Sequence, residues 1–334
     1  MIVSPAAKPA AGANADRPRY DQSMFATLAG GYPRPAPPDD PAAPDPGLAA
    51  VLAAQVEAGL ELVSDGLVHR PEPYGEALGA SLVAAWRATA IATDRPTKLA
   101  VLGPYSAGTV DALPGGATEA LAAALVTAAG ALAAAGCPVL EIHEPGAVGI
   151  RHDAAERARF GAAHRRLAGE LAAATAAAHP GLHLCLAITG GNADAAGPET
   201  ILAAPYASYL FDLVDGPDNW RLVTAVPGSR GIVCGVGDAS GQGRTRLEEV
   251  VFAARYAASS GGRGLDRVGL APSGSLAGLD PERARTVLEL VGGAARLLAA
   301  GPGAALRHLD PRAVDARSAA LGMYRQERGR SRRP

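Results

Sequence analysis

The sequence predicts a single eight-stranded (β/α) barrel, a TIM barrel, with its active site at the C-terminal ends of the strands. Short apolar runs alternate in regular order with longer Ala- and Leu-rich runs of helical character. The apolar runs number eight and are nearly continuous, as expected of parallel strands covered by helices on the outside. An open doubly wound sheet is the alternative arrangement of the same elements.

Each predicted strand is a short apolar run that ends in Gly, Pro or polar residues. The eight runs are MFATLAGGY (24–32), LELVSDG (60–66), KLAVLGPYS (98–106), PVLEIHEP (138–145), LHLCLAITGG (182–191), YLFDLVDG (209–216), GIVCGVGDAS (231–240) and RVGLAPSG (267–274). The clearest predicted helices are 47–59, 117–135, 153–178, 244–260 and 280–299. Residues 1–20 and 302–334 are predicted to be tails, so the barrel is expected to span 21–301.

Composition excludes several classes of function. Hydrophobic residues make up 48% of the 334-residue chain, which is ample for a packed core. The net charge of −2 gives no basic field for a nucleic acid, so we expect a small-molecule substrate instead. The chain has two lysines, Lys8 in a tail and Lys98 at a strand start, and neither is well placed for a Schiff base or a phosphate loop.

The sequence favours a cytoplasmic protein. Its three cysteines are far apart, which is typical of a reducing compartment, and the N-terminal region lacks the apolar run of a secretory signal. The uncharged stretch 120–140 is long enough for a membrane span, but Gly136 and Pro138 divide it into a helix and a strand. No membrane association is therefore expected. The oligomeric state stays open, with a homodimer as one option.

Polar residues gather where the strands end, and in a parallel barrel these ends face the reaction site. The predicted catalytic residues are His143, Asp238 and Ser240. The predicted substrate-binding residues are Arg34, Asp65, His69, Arg70, Tyr105, Glu144, Thr189, Asn192, Asp212 and Ser273. Turn formation and helix capping are the competing interpretation for each of them.

His143 is the best general acid or base, because an imidazole titrates near neutrality and this one follows a buried strand. Its neighbour Glu144 points to the opposite face of the strand, so the two side chains need not touch. Asp65, Asp212 and Asp238 follow three different strands, and together they could hold a cationic or polyhydroxyl substrate, a pterin ring or a hard metal ion. Arg34, His69 and Arg70 are candidates for binding an anionic tail.

Read in order, the strand ends resemble the catalytic barrel of the cobalamin-independent methionine synthases over residues 24–300. GGYPR (30–34) resembles that family's Gly-Ser-Tyr/Phe-Pro motif, and QVEAGLELVSDG (55–66) resembles its Gln-x-x-x-Gly-Leu-Asp-x-x-x-Asp-Gly. GPYS, EIHEP (141–145), GVGDAS (235–240) and LAPSGSL (270–276) follow in the family's order. The wider superfamily, which also holds uroporphyrinogen decarboxylase, implies the same barrel.

The resemblance implies a zinc ion held by His-x-Cys on strand five, Glu on strand six and Cys on strand eight, which activates a thiol. Aligned on the Gly-Asn turn at 190–192, these positions become Ala187, Thr189, Asp212 and Gly274, so no thiolate ligand survives. His183 and Cys185 have the His-x-Cys spacing of the family's zinc motif, but His183 lies six residues, roughly 20 Å, before Thr189. We expect both to be core residues, and no metal to be bound.

The family's contacts to an amino-acid substrate have also changed. Its two acidic contacts to the homocysteine amine become Leu67 and His143, its first-strand serine becomes Gly31, and its seventh-strand histidine becomes Ser240. The sequence therefore suggests a zinc-independent methyltransferase that moves a one-carbon group from a 5-methyltetrahydrofolate-type donor to a non-homocysteine acceptor, in specialised metabolism. A lyase of the uroporphyrinogen decarboxylase type and a catalytically inactive ligand-binding barrel are the alternatives.

Overall fold

The structure is a computed structural model that describes residues 24–34, 47–68, 78–110, 117–178 and 181–301. Within these ranges it is an α/β fold built on one seven-stranded parallel sheet in the order β1-β7-β6-β5-β4-β3-β2. The strands are Phe25–Ala26 (β1), Lys98–Leu102 (β2), Val139–His143 (β3), His183–Ile188 (β4), Ser208–Asp212 (β5), Gly231–Gly237 (β6) and Val268–Pro272 (β7). This curled sheet is consistent with a TIM-barrel-like fold. The predicted tails lie outside the described residues.

The second predicted strand, 60–66, is reduced to two residues that lie between the edge strands β1 and β2. Leu62 pairs with Thr27 and Val63 pairs with Thr97, each in an isolated parallel bridge. The pairing stops after Val63 because the side chain of Gln55 forms hydrogen bonds with the backbone N–H and carbonyl groups of Ser64. Its Nε2 donates to the Ser64 carbonyl at 2.7 Å, and its Oε1 accepts from the Ser64 N–H at 3.0 Å. The described residues thus form seven strands and this bridging segment, where eight strands were predicted.

The first strand is also shorter than the predicted run 24–32. Its pairing with β7 covers Phe25 and Ala26, and the chain then turns at Gly30, which has φ +67°. A Cβ built on Gly30 would lie 3.1 Å from the Cβ of Ser275, so the turn brings the chain against the loop after β7. The Gly-rich end of this motif therefore forms a turn at the sheet edge and does not extend the strand.

Helices cover the outside of the sheet. They are Gly47–Glu57 (α1), Leu78–Ile91 (α2), Pro104–Val110 (α3), Ala117–Ala135 (α4), Ala154–Ala178 (α5), Pro198–Ile201 (α6), Trp220–Ala225 (α7), Leu247–Ser259 (α8) and Pro281–Ala299 (α9). The five helices predicted most clearly correspond to α1, α4, α5, α8 and α9, within three residues at each end. Short 3₁₀ helices span Pro145–Gly149, Asp194–Ala196, Pro217–Asn219, Ser260–Gly262 and Leu265–Arg267.

One described helix has the length and composition of a membrane span. The window Thr118–Ala135 of α4 has a mean hydropathy of 1.6, and 44% of it is buried inside the protein. It packs between α2 and α5. Its apolar surface thus has a place in the packing of the helical layer, as expected for an Ala-rich core helix.

The apolar core has two parts, because alternate strand residues face the helices and the interior of the curled sheet. The larger part lies between sheet and helices. The interior part is small and consists mostly of short side chains, namely Ala29, Cys185, Ala187, Leu210, Val233 and Ala271. These short side chains leave interior space for charged groups and for a cavity, both described below.

Candidate active site at the strand ends

Most of the predicted site residues lie at one edge of the sheet. His143 and Asp212 are the last residues of β3 and β5, while Thr189, Asp238 and Ser273 directly follow β4, β6 and β7. All five side chains are buried, with His143 and Thr189 the most exposed at 9% and 8%. His69 and Arg70 lie outside the described residues. The sheet therefore brings these polar groups to its C-terminal edge, and their hydrogen bonds distinguish their roles.

A buried chain of three charged or titratable groups ends at His143. The Nε2 of His143 lies 2.5 Å from Oε1 of Glu141, two residues earlier on the same face of β3. The other carboxylate oxygen of Glu141 accepts a hydrogen bond from Nζ of Lys98 on β2. Lys98 and Glu141 are 1% and 2% exposed. The imidazole at the strand end is thus held by a carboxylate that is itself held by an ammonium group.

Electrostatics keep Glu141 ionised in this buried place. Burial by itself would raise the pKa of its carboxyl, but Lys98 and then His143 outweigh that effect and lower the pKa to about 2. An ionised Glu141 accepts a hydrogen bond from the Nε2–H group, which favours the imidazole tautomer with its lone pair on Nδ1. Within the described ranges, Nδ1 has no hydrogen-bond partner. This is the arrangement of a general base that is oriented by a carboxylate.

Asp238 and Ser240 form a tight ionic turn after β6. Asp238 accepts hydrogen bonds from the Ser240 hydroxyl at 2.6 Å and from Nε and Nη2 of Arg244 at 3.1 and 2.8 Å. Burial would raise the pKa of Asp238, but these hydrogen bonds hold it well below its usual range. Arg244 also reaches Asp215 at 2.8 Å, so its guanidinium is shared between two carboxylates. This turn supplies fixed negative charge beside the site.

Asp212 shapes the Gly-rich turn that follows β4. Its Oδ2 accepts from the N–H groups of Gly190 and Gly191 at 3.2 and 2.9 Å, and its Oδ1 accepts from those of Val214 and Asp215, both at 2.9 Å. Burial is the main cause that raises the pKa of its carboxyl. Four backbone donors use its acceptor capacity, so Asp212 fixes two loops of the mouth.

Asn192 binds a neighbouring loop. Its side chain exchanges two hydrogen bonds with Asp218, at 3.1 Å to the carboxylate and 2.9 Å from the backbone N–H. Together with Gly190 and Gly191 it lines a surface cavity of about 680 Å³ beside the mouth. This cavity also contains Arg151 and Arg221 at its polar rim.

Glu144 faces away from His143, as expected from the alternation of strand side chains. It is fully buried, and its carboxylate accepts from the N–H groups of Tyr105 and Ser106 in the first turn of α3, at 3.0 and 2.7 Å. His164 of α5 lies 3.0 Å from Oε1, and the other ring nitrogen of His164 is 2.6 Å from the Tyr206 hydroxyl. Glu144 thereby ties α3 and α5 to the sheet.

The remaining predicted residues lie around this framework. The Tyr105 hydroxyl donates to Glu156 at 2.6 Å, while Asp65 accepts from the Leu67 N–H at 3.1 Å. Ser273 accepts from the Ala239 N–H at 3.1 Å and so links the loops after β6 and β7. Arg34 is exposed at the end of the first described segment.

The positions implied for zinc lie close together but do not offer a ligand set. A Cβ built on Gly274 would lie 3.9 Å from the Cβ of Thr189, so strands four and seven of the observed sheet bring these two positions into contact. Ala187 and Gly274 carry no donor atom, and Asp212 is occupied by four N–H groups. In the described part of the chain, no three His, Cys, Asp or Glu side chains group as a metal site. These residues do not fit zinc.

His183 and Cys185 lie away from the mouth. Nε2 of His183, the first residue of β4, is 2.8 Å from the Ser208 hydroxyl. Cys185 belongs to the interior apolar cluster, and burial raises the pKa of its thiol to about 12. Such a thiol stays protonated at neutral pH.

Two members of the site were missed by the sequence analysis, Lys98 and Glu141. The alternation in VLEIH (139–143) places Glu141 on the face of His143, and this signal was available. The approach of Lys98 depends on β2 lying beside β3 in parallel register, where Ala100 is paired with Glu141. That register is a tertiary feature, which the strand's own sequence does not encode.

The α/β fold is TIM-barrel-like, and comparison with solved structures agrees. A B12-independent methionine synthase from Shewanella sp. W3-18-1 aligns with a TM-score of 0.63 at 15% identity, over 83% of this chain and 98% of that chain. A candidate vitamin-B12-independent methionine synthase from Listeria monocytogenes aligns at 0.58 and 14%, over 82% and 97%. A methyltransferase from Methanosarcina mazei aligns at 0.55 and 14%, over 83% and 94%.

At these identities the likeness shows a shared fold. No protein-family model matches the chain, and no curated protein matches it.

Proposed function

We propose that this chain is a methyltransferase that moves a methyl group from a 5-methyltetrahydrofolate-type donor to an oxygen, nitrogen or carbon acceptor, without zinc. The observation that carries the proposal is the buried chain Lys98, Glu141 and His143, which ends at the sheet edge. An acceptor of this kind needs a general base rather than a thiolate-activating metal. The shared fold with methionine synthases and a methyltransferase supports one-carbon chemistry by analogy.

The proton has a defined route in this proposal. The acceptor X–H gives its proton to Nδ1 of His143 while the X–CH₃ bond forms and the bond between the methyl group and the donor nitrogen breaks. The electron pair of the broken bond stays on that nitrogen, which takes up the proton in turn. Glu141 stabilises the imidazolium that exists between the two transfers, because its carboxylate is ionised and touches Nε2.

In this proposal, the other strand-end residues orient the ligand and exclude water. Asp212 holds the glycine turn after β4 in place, and Gly190 and Gly191 allow a planar ligand to approach the backbone. Asp238, Ser240 and Arg244 form a preorganised ionic turn after β6. Arg34, with His69 and Arg70, remains a candidate for the anionic tail of the donor.

The alternatives receive less support from the described residues. A decarboxylase acting on a polyacid needs several cations free to bind carboxylates, whereas Arg244 is already paired with Asp215 and Asp238, and Arg221 of the neighbouring cavity with Asp194 and Asp218. An inactive binding barrel has no need of a buried ionic chain behind its mouth histidine, and such a chain costs desolvation free energy.

The direct test supplies the full chain with 5-methyltetrahydrofolate carrying an isotopically labelled methyl group and a panel of small phenols, amines and homocysteine. Mass spectrometry then follows the label. We expect transfer to an oxygen, nitrogen or carbon acceptor, and a fall in kcat of about 100-fold or more in His143→Asn. His183→Asn is the matched control, because it changes the same residue type at the opposite end of the sheet, and should keep its activity.

Two outcomes would overturn the proposal. Transfer to homocysteine alone would show that the acceptor is a thiol. Equal activity of wild type and His143→Asn would show that His143 is not the general base. If no acceptor is methylated while the donor still binds, the chain is better explained as a catalytically inactive ligand-binding barrel than as an enzyme.

A further inference from the structure

A second cavity opens at the N-terminal ends of the strands, opposite the candidate active site. It measures about 490 Å³, within the range of small-molecule sites. Its rim is made by residues that precede strands, including Pro138, Gly181 and Arg230, and its depth by Cys185 and Val233 of the interior cluster. The function proposed above makes no use of this space.

A buried hydroxyl group on the cavity wall is unpaired. Thr27 lines the cavity and is 1% exposed, and its Oγ1 has no hydrogen-bond partner among the residues that the structure describes. A buried polar atom without a partner costs free energy, so such atoms in native proteins usually meet a ligand or an ordered water. This hydroxyl is suited to a polar group on an occupant that reaches the interior.

The rim of the cavity carries net positive charge. Arg267 and Asp266 pair with each other at 3.6 Å, whereas the guanidinium of Arg230 forms no ion pair within the described ranges. Deeper in, Glu141 lines the wall, but its carboxylate is already held by Lys98 and by His143. The available charge is therefore a cation at the opening, and the walls behind it are mostly apolar, with His183 and Ser208 bonded to each other.

We propose that this floor cavity binds a small organic acid with a compact apolar or aromatic body. The carboxylate pairs with Arg230 at the rim, the body lies against the apolar wall, and a distal hydroxyl group meets Oγ1 of Thr27. The cavity opens at the end of the sheet opposite His143, and although Glu141 belongs to both sites, its carboxylate is already held by Lys98 and His143, so binding does not need a free His143.

The test uses two probes, phenylacetate and 4-hydroxyphenylacetate, titrated into the full chain by isothermal titration calorimetry. Both should bind, and 4-hydroxyphenylacetate should bind more tightly because its hydroxyl group reaches Thr27. Arg230→Gln should weaken both probes about tenfold, since a charge-assisted hydrogen bond is lost. Thr27→Val should remove only the advantage of the hydroxylated probe, and His143→Asn should change neither affinity.

A steric pair of variants locates the site. A Cβ built on Gly181 or on Gly169 meets no heavy atom within 4 Å, so a larger side chain can leave the backbone at both positions without a clash at its first atom. Gly181→Trp fills the cavity rim and should abolish binding, whereas Gly169→Trp, on the exposed face of α5, should leave it intact. Absence of binding to wild type at about 10 mM probe, or equal binding by both tryptophan variants, would overturn the proposal.

Discussion

Replacing Lys98 with methionine tests the buried ionic chain most severely. Methionine keeps the length and apolar stem of lysine but leaves Glu141, which is 2% exposed, without the partner that lowers its pKa most. The lowering of the Glu141 pKa from an ordinary 4.5 to about 2 corresponds to about 3 kcal/mol of favourable interaction. Loss of one partner of a buried pair costs about 3–5 kcal/mol in general, so we expect Lys98→Met to lose about 3 kcal/mol of unfolding free energy at pH 7.

The sign of the pH dependence follows from the same group. Because the folded-state pKa of Glu141 is depressed, its contribution to stability is present above pH 4.5 and is lost as the pH falls toward 2. In Lys98→Met that contribution is already gone, so the difference between the two proteins should shrink as the pH is lowered below about 5.

Urea unfolding followed by circular dichroism between pH 7 and about pH 2.5 measures both effects, because this range covers the loss of the contribution from Glu141. The double variant Lys98→Met/Glu141→Leu should recover much of the lost unfolding free energy, because it removes the buried carboxyl group that has lost its partner. Arg166→Ala, which breaks an exposed pair with Glu170, is the control and should cost less than about 1 kcal/mol. A Lys98→Met protein as stable as this control, or a difference that widens at low pH, would refute the reasoning.

Three further predictions concern the framework around the site. Gly103→Ala places a Cβ 2.1 Å from Oε1 of Glu144 and should lower the urea midpoint by the equivalent of about 1–3 kcal/mol, whereas Gly130→Ala, where a Cβ meets nothing, should not. Arg263→Met removes three hydrogen bonds to the carbonyls of Arg230, Ala257 and Val226 and should cost at least about 3 kcal/mol in the same assay; a loss under 1 kcal/mol would be inconsistent with this role. The three cysteines have thiol pKa values raised to about 12 by burial, so a thiol reagent at pH 8 should label them only after urea is added, and rapid labelling of folded protein would contradict this.

The helices and most strands could be predicted because their signals are local. Helix α9 has Asp280 as its N-cap, accepting from the Arg283 N–H at 3.0 Å, and Pro281 in its first turn, and both features are legible in the sequence. The strand at 60–66 was overpredicted because its apolar run looks like the others. The competing hydrogen bonds from Gln55 to Ser64 depend on how α1 packs, which no local pattern reveals.

The site was predictable in position but not in its connections. His143, Asp212 and Asp238 lie at the sheet edge because parallel strands share one direction, a rule that sequence order is enough to apply. The partners of Glu144 are a helix start and a histidine on α5, which follow only from tertiary packing. Likewise the pairing of Lys98 with Glu141 requires the register of β2 against β3.

The most direct test of zinc-free chemistry at this site is the metal content of the full chain, purified without chelators or a histidine tag and measured by inductively coupled plasma mass spectrometry. Since Ala187, Thr189 and Gly274 offer no soft ligand, we predict far less than one zinc per chain, and no change on Cys185→Ala. About one zinc per chain, lost in Cys185→Ala, would contradict this account and return His183 and Cys185 to the role of ligands.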